Sequence, residues 1–301
     1  GGAGHAGVVE MATSMGGYST PGNIRVDYGT LLITGTAFGN LAAAAAQTSV
    51  ATGATLDMND RGSAVIPIAS LSGAGTLKTG TTDGTAVGVQ AGNFTGVIEG
   101  AGQLRKSSAG TLVLGGANTY AGATTIQAGE LKLTGGGALP AGTTLNIFAG
   151  ASFDTSAING ASTTIGALAG SGSALLGTKT LTLGGNNTSA TFSGGIYGVG
   201  ALSKTGTGTQ TLSGSNLYAG GTVVSAGTLA LSGSGSIRAD GSLQVASGAT
   251  FDLSGLAYSG ITIGSLAGAG AVQLGTNGLS LGGADSSTGF RGGMSGTVGS
   301  L

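Results

Sequence analysis

The chain has 301 residues, of which 66 are glycine and 7% charged, and its 10 basic and 11 acidic side chains leave a net charge near zero. That balance excludes an ordinary globular enzyme and a charge-rich disordered tail, and basic residues scattered singly, apart from Arg105 and Lys106, leave no nucleic-acid footprint. A hydrophobic content of 40% leaves apolar surface to bury, yet no apolar run nears the roughly 18 residues that span a bilayer, so no transmembrane segment is expected.

Residues 1–28 read as a degenerate partial repeat or terminal coil. Gly1, Gly2, Ala3 and Gly4 open the chain without an initiator Met or a signal-peptide pattern, as in a mature product or an excised piece. Val8 to Met15 replaces the Leu-rich pattern found at Leu112 to Leu114, and Tyr18 to Gly22 carries extra residues including Pro21, a drift expected of a terminal unit. The absence of cysteine suits export across a bacterial envelope.

From residue 29 onward the chain repeats itself. Gly53, Ala54, Thr55, Leu56, Asp57 recurs at Gly150 to Asp154 and at Gly248 to Asp252, at spacings of 97 and 98. Phe94, Thr95, Gly96 recurs at Phe192 and Phe290, and Leu71 to Gly75 recurs at Leu168 and Leu266. Three landmarks on one period divide the chain into repeat unit 1 over 29–128, unit 2 over 129–226 and a partial unit 3 over 227–301. Gly2 to Gly4 aligns with Gly100 to Gly102, and Leu301 with Leu104 and Leu202, so the chain begins and ends at nearly one phase. Gly2, Gly4, Val298 and Leu301 are therefore candidate end-to-end contacts.

Within each unit, alternating runs such as Leu131-Lys132-Leu133, Leu181-Thr182-Leu183, Leu229-Ala230-Leu231 and Leu279-Ser280-Leu281 lie between glycine or Asn-containing turns. Period-two alternation marks half-buried strands, and the turns supply the positive φ that tight corners demand. Helix is expected nowhere except for a helical turn or widened corner at Ala42 to Ala46. A coil of roughly 20 to 25 residues puts about four or five coils in each unit. The expected fold is all-β: a parallel β-helix, or β-solenoid, of three units of about 98 residues.

Leu104, Arg105, Lys106, then Gly110, Thr111, Leu112, Val113, Leu114, then Asn118, Thr119, Tyr120, Ala121, Gly122, then Thr124, Thr125, Ile126, Gly129, Glu130 and Leu131 resemble the autotransporter-associated β-strand repeat. A second copy runs from Leu202, Ser203, Lys204 through Asn216, Leu217, Tyr218 to Gly227, Thr228, Leu229, and weaker echoes lie around Gly22 to Leu31 and after Phe290. The resemblance implies a right-handed β-helix in the passenger region of a bacterial type V secreted protein, displayed on or released from the outer membrane. It also implies a link to passenger export and folding, and service as a stalk for adhesins and other virulence factors.

Catalysis finds little to work with. Glycoside cleavage needs two carboxylates about 5 to 9.5 Å apart, whereas Asp57, Asp154 and Asp252 are each one repeat apart, about 20 Å on a stacked solenoid. They are read as structural, hydrogen bonding corner backbone after the Gly53, Gly150 and Gly248 turns. Asp60 beside Arg61 reads as a solvated turn or ion pair. His5 is the single histidine, and Gly1 to Gly4 lacks the Asp of a calcium-binding β-roll, so no catalytic residue, metal or cofactor is expected.

Thr205, Thr207, Thr209 and Thr211 read as one strand of ordinary outward-facing threonines. Tyr120 and Tyr218 are equivalent repeat positions read as corner packing, and Asn118 and Asn216 are read as structural residues of the repeat motif. The expectation is a non-catalytic, structural or adhesive β-helix, extracellular or on the bacterial surface, with a host or cell-surface ligand and end-to-end self-association as candidate partners. The alternatives are a subunit of a fibre stacked head to tail and, more distantly, a polysaccharide-degrading β-helix enzyme.

Overall fold

The computed structural model describes residues 8–12, 23–34, 47–58, 65–82, 84–282 and 288–297. Every regular element among them is a strand, every registered pairing is parallel, and no helix is present. Ala42 to Ala46, His5, Asp60, Arg61, Gly2, Gly4, Val298 and Leu301 lie outside the described residues. The chain forms two compact units, residues 1–140 with 157–159, and residues 141–156 with 160–301.

The first unit is a parallel β-solenoid with three ladders. One runs through Val8–Ala12, Thr30–Thr34, Thr55–Asp57, Thr76–Lys78 and Val97–Glu99. A second runs through Ile24–Val26, Gln47–Val50, the ends of Val65–Gly73 and Ala86–Phe94, then Thr111–Leu114 and Glu130–Gly135. The third takes the beginnings of Val65–Gly73 and Ala86–Phe94, then Gln103–Lys106 and Thr124–Ile126. Register partners lie between 17 residues (Val87, Leu104) and 25 residues (Thr30, Thr55) apart, so one coil is slightly more variable than its sequence suggests.

The second unit has the same construction. Its first ladder joins Thr144–Ile147, Ala167–Gly170, Ala190–Phe192, Thr209–Leu212, Thr228–Gly233, Thr250–Leu256, Ala271–Gly275 and Gly293–Gly296. The second joins Ser152–Ile158, Ser173–Leu175 and Gly195–Tyr197. The third joins Ser162–Ile165, Thr180–Leu183, Leu202–Lys204, Thr222–Val224, Ser242–Val245 and Ser265–Gly268. Alternation puts one side chain in two inward, so Leu181, Leu202, Thr222 and Leu243 stack in one buried column and Leu229, Phe251 and Val272 in another. Each such apolar side chain contributes about 1.5–3 kcal/mol on burial, and successive rungs lie about 4.8 Å apart.

Elements recur at 98 residues inside the second unit, as Thr144–Ile147 with Ser242–Val245 and Ser152–Ile158 with Thr250–Leu256. Yet equivalents occupy different ladders: Thr144–Ile147 stands in the first and Ser242–Val245 in the third, and Ser152–Ile158 in the second and Thr250–Leu256 in the first. A turn uses about 21 residues, so 98 residues make about four and two-thirds turns. The sequence repeat is therefore out of step with the coil by one ladder.

Two recurring glycines have distinct reasons. In the Gly-Ala turn the amides of Ala54, Ala151 and Ala249 donate to the carbonyls of Ala51, Phe148 and Ala246 at 2.9, 2.9 and 3.0 Å. Gly53, Gly150 and Gly248 take φ of 78°, 78° and 81° at the third position, as a type II turn requires. In Phe-x-Gly the constraint is space: a methyl on Gly194 would lie 1.8 Å from the Gly172 carbonyl oxygen and 2.6 Å from the Phe192 ring.

The threonine run differs from its expectation. Only Thr209 and Thr211 lie in the strand Thr209–Leu212, and Thr205 sits at a corner, donating to the Leu183 carbonyl at 3.0 Å. The cause is the positive-φ Gly206, which ends the preceding strand. Register instead aligns Thr209, Thr228 and Thr250 on successive turns, with Thr191 beside Thr211.

Candidate functional site

The polar side chains that the repeat buries are the chemically distinctive feature. Lys106 and Lys204 close their strands facing inward, and each residue is at most 1% exposed. The Lys106 ammonium donates to the carbonyls of Ser108 and, on the following turn, Ala128 (3.0 Å). The Lys204 ammonium donates to Thr205 (2.5 Å), Gly206 (2.9 Å) and, on the following turn, Ala226 (3.3 Å). Burial holds the Lys106 amine down at about 8 and lowers that of Lys204 in the same way.

At another corner of the same turn, Asn118 is buried and acts as a piece of backbone. Its Nδ2 donates to the carbonyls of Gly116 (3.0 Å) and Ala138 (2.8 Å), and its Oδ1 accepts from the Ile98 amide (2.9 Å). Asn216 donates likewise to Gly214 and Ser236, both at 2.9 Å, but its Oδ1 is buried without a partner. Two residues on, the hydroxyl groups of Tyr120 and Tyr218 meet those of Thr124 (2.5 Å) and Thr222 (2.6 Å) inside the core. Burial pushes both phenols well above their usual range, against a smaller opposing effect of the threonine hydroxyls.

Asp154 and Asp252 lie within strands, and their Oδ1 atoms accept from the amides of Ser156 and Ser254, both at 2.8 Å. Asp252 does so where the register with Ala230 and Ser232 shifts, so it holds a strand irregularity. The two stand in different ladders of their unit, and Asp57 closes the strand Thr55–Asp57. The structure therefore does not bring Asp154 and Asp252 together as a catalytic pair. No group of three potential metal ligands occurs among the described residues.

Outside the core, Tyr197, Val199 and Leu217 of the second unit are 38%, 64% and 52% exposed. The Leu217 amide donates to Ile196 (2.8 Å) and the Ala219 amide to Gly198 (2.9 Å), which sets these side chains on successive turns of one corner. Nearby in sequence, Arg238 pairs with Asp240, whose carboxyl it holds below the usual range by hydrogen bonding. The residues that sequence reasoning missed are Gln210, buried in place of a leucine, and the inward Lys106 and Lys204. A lysine inside an alternating apolar run was the available signal.

Residues 104–133 and 202–231 match the model of the passenger-associated transport repeat. Over 125 residues, 40% of this chain, the sequence is 38% identical to the adhesin BmaC autotransporter of Brucella suis biovar 1 (strain 1330). The matched stretch is 4% of that protein's length. No solved structure matches the chain. The two matches together support an autotransporter passenger built from β-repeats.

Proposed function

We propose that this chain is a non-catalytic passenger segment, displayed on the bacterial surface or secreted, that serves as a stalk or scaffold and contributes to adhesion. The observation that carries the reading is the fate of its reactive side chains. In the two matched segments Lys106, Lys204, Asn118 and Asn216 hold one turn to another and Tyr120 and Tyr218 close on threonines inside the core, in a solenoid whose sequence relative is named an adhesin.

The adhesive contact is assigned to the exposed corner of Tyr197, Val199 and Leu217, since tyrosine and contiguous apolar surface mark contact sites on soluble proteins. Beads coated with the purified chain should bind host cells or extracellular matrix, and Tyr197→Ser with Leu217→Ser should reduce capture several-fold while leaving the thermal transition unchanged. Capture no better than that of uncoated beads would end the adhesive reading and leave the stalk. Turnover of a polysaccharide by the same preparation would end the non-catalytic one. Light scattering over a concentration series separates a discrete stalk segment, of constant mass near 28.1 kDa, from a head-to-tail fibre.

A further inference from the structure

Glycine-rich strands with a Leu-x-Leu core leave a solenoid short of register information. Leu131-Lys132-Leu133, Leu181-Thr182-Leu183 and Leu229-Ala230-Leu231 offer almost the same inner face, so a rung displaced by two residues, or laid on the wrong rung, still buries leucine on leucine. Hydrophobic burial is non-directional and does not reject such a slip. Groups that need particular partners do reject it, because a slipped rung leaves them buried and unpaired.

The two matched segments hold such groups in the same arrangement. Each begins at the strand carrying the buried lysine and is just long enough for its own first strands to meet its own last ones. Leu104 pairs with Thr124 and Leu112 with Leu131 in one, and Leu202 with Thr222 and Leu212 with Leu231 in the other. The lysine then reaches across one turn, from Lys106 to Ala128 and from Lys204 to Ala226, at a separation of 22 residues in both. The asparagine reaches across the next, from Asn118 to Ala138 and from Asn216 to Ser236, at 20 residues in both. The tyrosine and threonine hydroxyls close on each other inside the segment, four residues apart.

We propose that each transport repeat is a register clasp: a self-closing turn whose Lys and Asn side chains select one rung alignment and so seed the winding of its own unit. The clasp is a folding device, and it stands whether or not the chain adheres to anything. It predicts an order of events that hydrophobic packing alone does not. The lysine clasp forms within a loop of about 20 residues, which is cheap to close, and every later rung then has a templating edge of known register.

The test uses the whole chain. In pulsed hydrogen exchange during refolding of the unaltered protein, amides of Leu104 to Ile126 and of Leu202 to Val224 should gain protection in the earliest phase, ahead of Thr144–Ile147 and Ser265–Gly268. Simultaneous or later protection of the two segments overturns the proposal. A second measurement separates a clasp from ordinary stabilisation. Lys204→Met keeps the shape and removes a buried charge, so its urea midpoint should be unchanged or higher, while its refolding slows by about tenfold or yields more than one exchange pattern. A variant that refolds as fast and as uniformly as the parent overturns the assignment to Lys204, and a lowered midpoint with unchanged refolding reduces the lysine to packing.

Discussion

The two transport repeats differ most at one buried position. Leu112 fills the core of the first, whereas the equivalent Gln210 is 2% exposed in the second. Gln210 Nε2 donates to the Leu168 carbonyl (2.8 Å), and its Oε1 accepts from the Leu168 amide (3.1 Å), a reach of 42 residues or two turns. Around Leu112 the ladder is continuous, with Leu71 registered on Gly92 and Gly92 on Leu112. Around Gln210 the strand Ala190–Phe192 meets Ala167–Gly170 only at Gly170 and Phe192, which leaves Leu168, registered on Leu145 of the preceding turn, without a ladder partner on the following one. Ninety-eight residues further on, Thr288 donates to the Leu266 carbonyl at 2.8 Å and serves the same opening with a shorter side chain. A core residue in a solenoid thus answers to the ladder beside it as well as to its place in the repeat.

Exchanging the two residues should break the comparison most severely. Leu112→Gln buries an amide where the ladder leaves it nothing to bond and removes leucine packing, and should cost about 3–5 kcal/mol in urea unfolding. Gln210→Leu restores the repeat's consensus but orphans the Leu168 backbone, and should cost about 2–3 kcal/mol. A neutral or stabilising Gln210→Leu would mean that the open ladder closes without help.

The two glycine positions allow a milder contrast. Gly194→Ala meets the Gly172 carbonyl and the Phe192 ring, so it should cost about 2–4 kcal/mol. Gly150→Ala has open space within 4 Å but a φ of 78°, and should cost only about 1–2 kcal/mol. Calorimetry showing the reverse order would put backbone strain above the clash. The asparagines should differ by less: Asn118→Ala, which loses three bonds, should cost about 1 kcal/mol more than Asn216→Ala, which loses two and relieves an unpartnered oxygen.

The smallest effect concerns pH. The folded Lys106 amine is held down at about 8, below its unfolded value of about 10.4, so over that window the unfolded chain binds more protons and stability rises with pH. The cost of burying the ammonium is fully present below pH 8 and disappears above about 10.4. Urea midpoints of the parent and Lys106→Met should therefore converge as pH rises from 8 to 10. A constant gap would show that the carbonyls of Ser108 and Ala128 keep the amine charged throughout.

Much of this molecule is legible in its residues. Period-two leucine alternation, glycine turns and a repeat near 98 residues lead to a parallel solenoid, because alternation and positive φ are local demands that each residue meets by itself. The Gly-Ala turn and the two transport repeats are likewise visible, down to Asn118 and Tyr120. Three things required the tertiary structure. The one-ladder slip per repeat depends on turn length, which the corners set by fractions of a residue that no motif records. The inward face of Lys106 and Lys204 depends on carbonyls that converge only once the next turn is laid down. Gln210 belongs to a gap opened 42 residues earlier, and only stacking brings the amide and that gap together. Local chemistry chose the strand and the corner, and the stacking of one turn on another chose their partners.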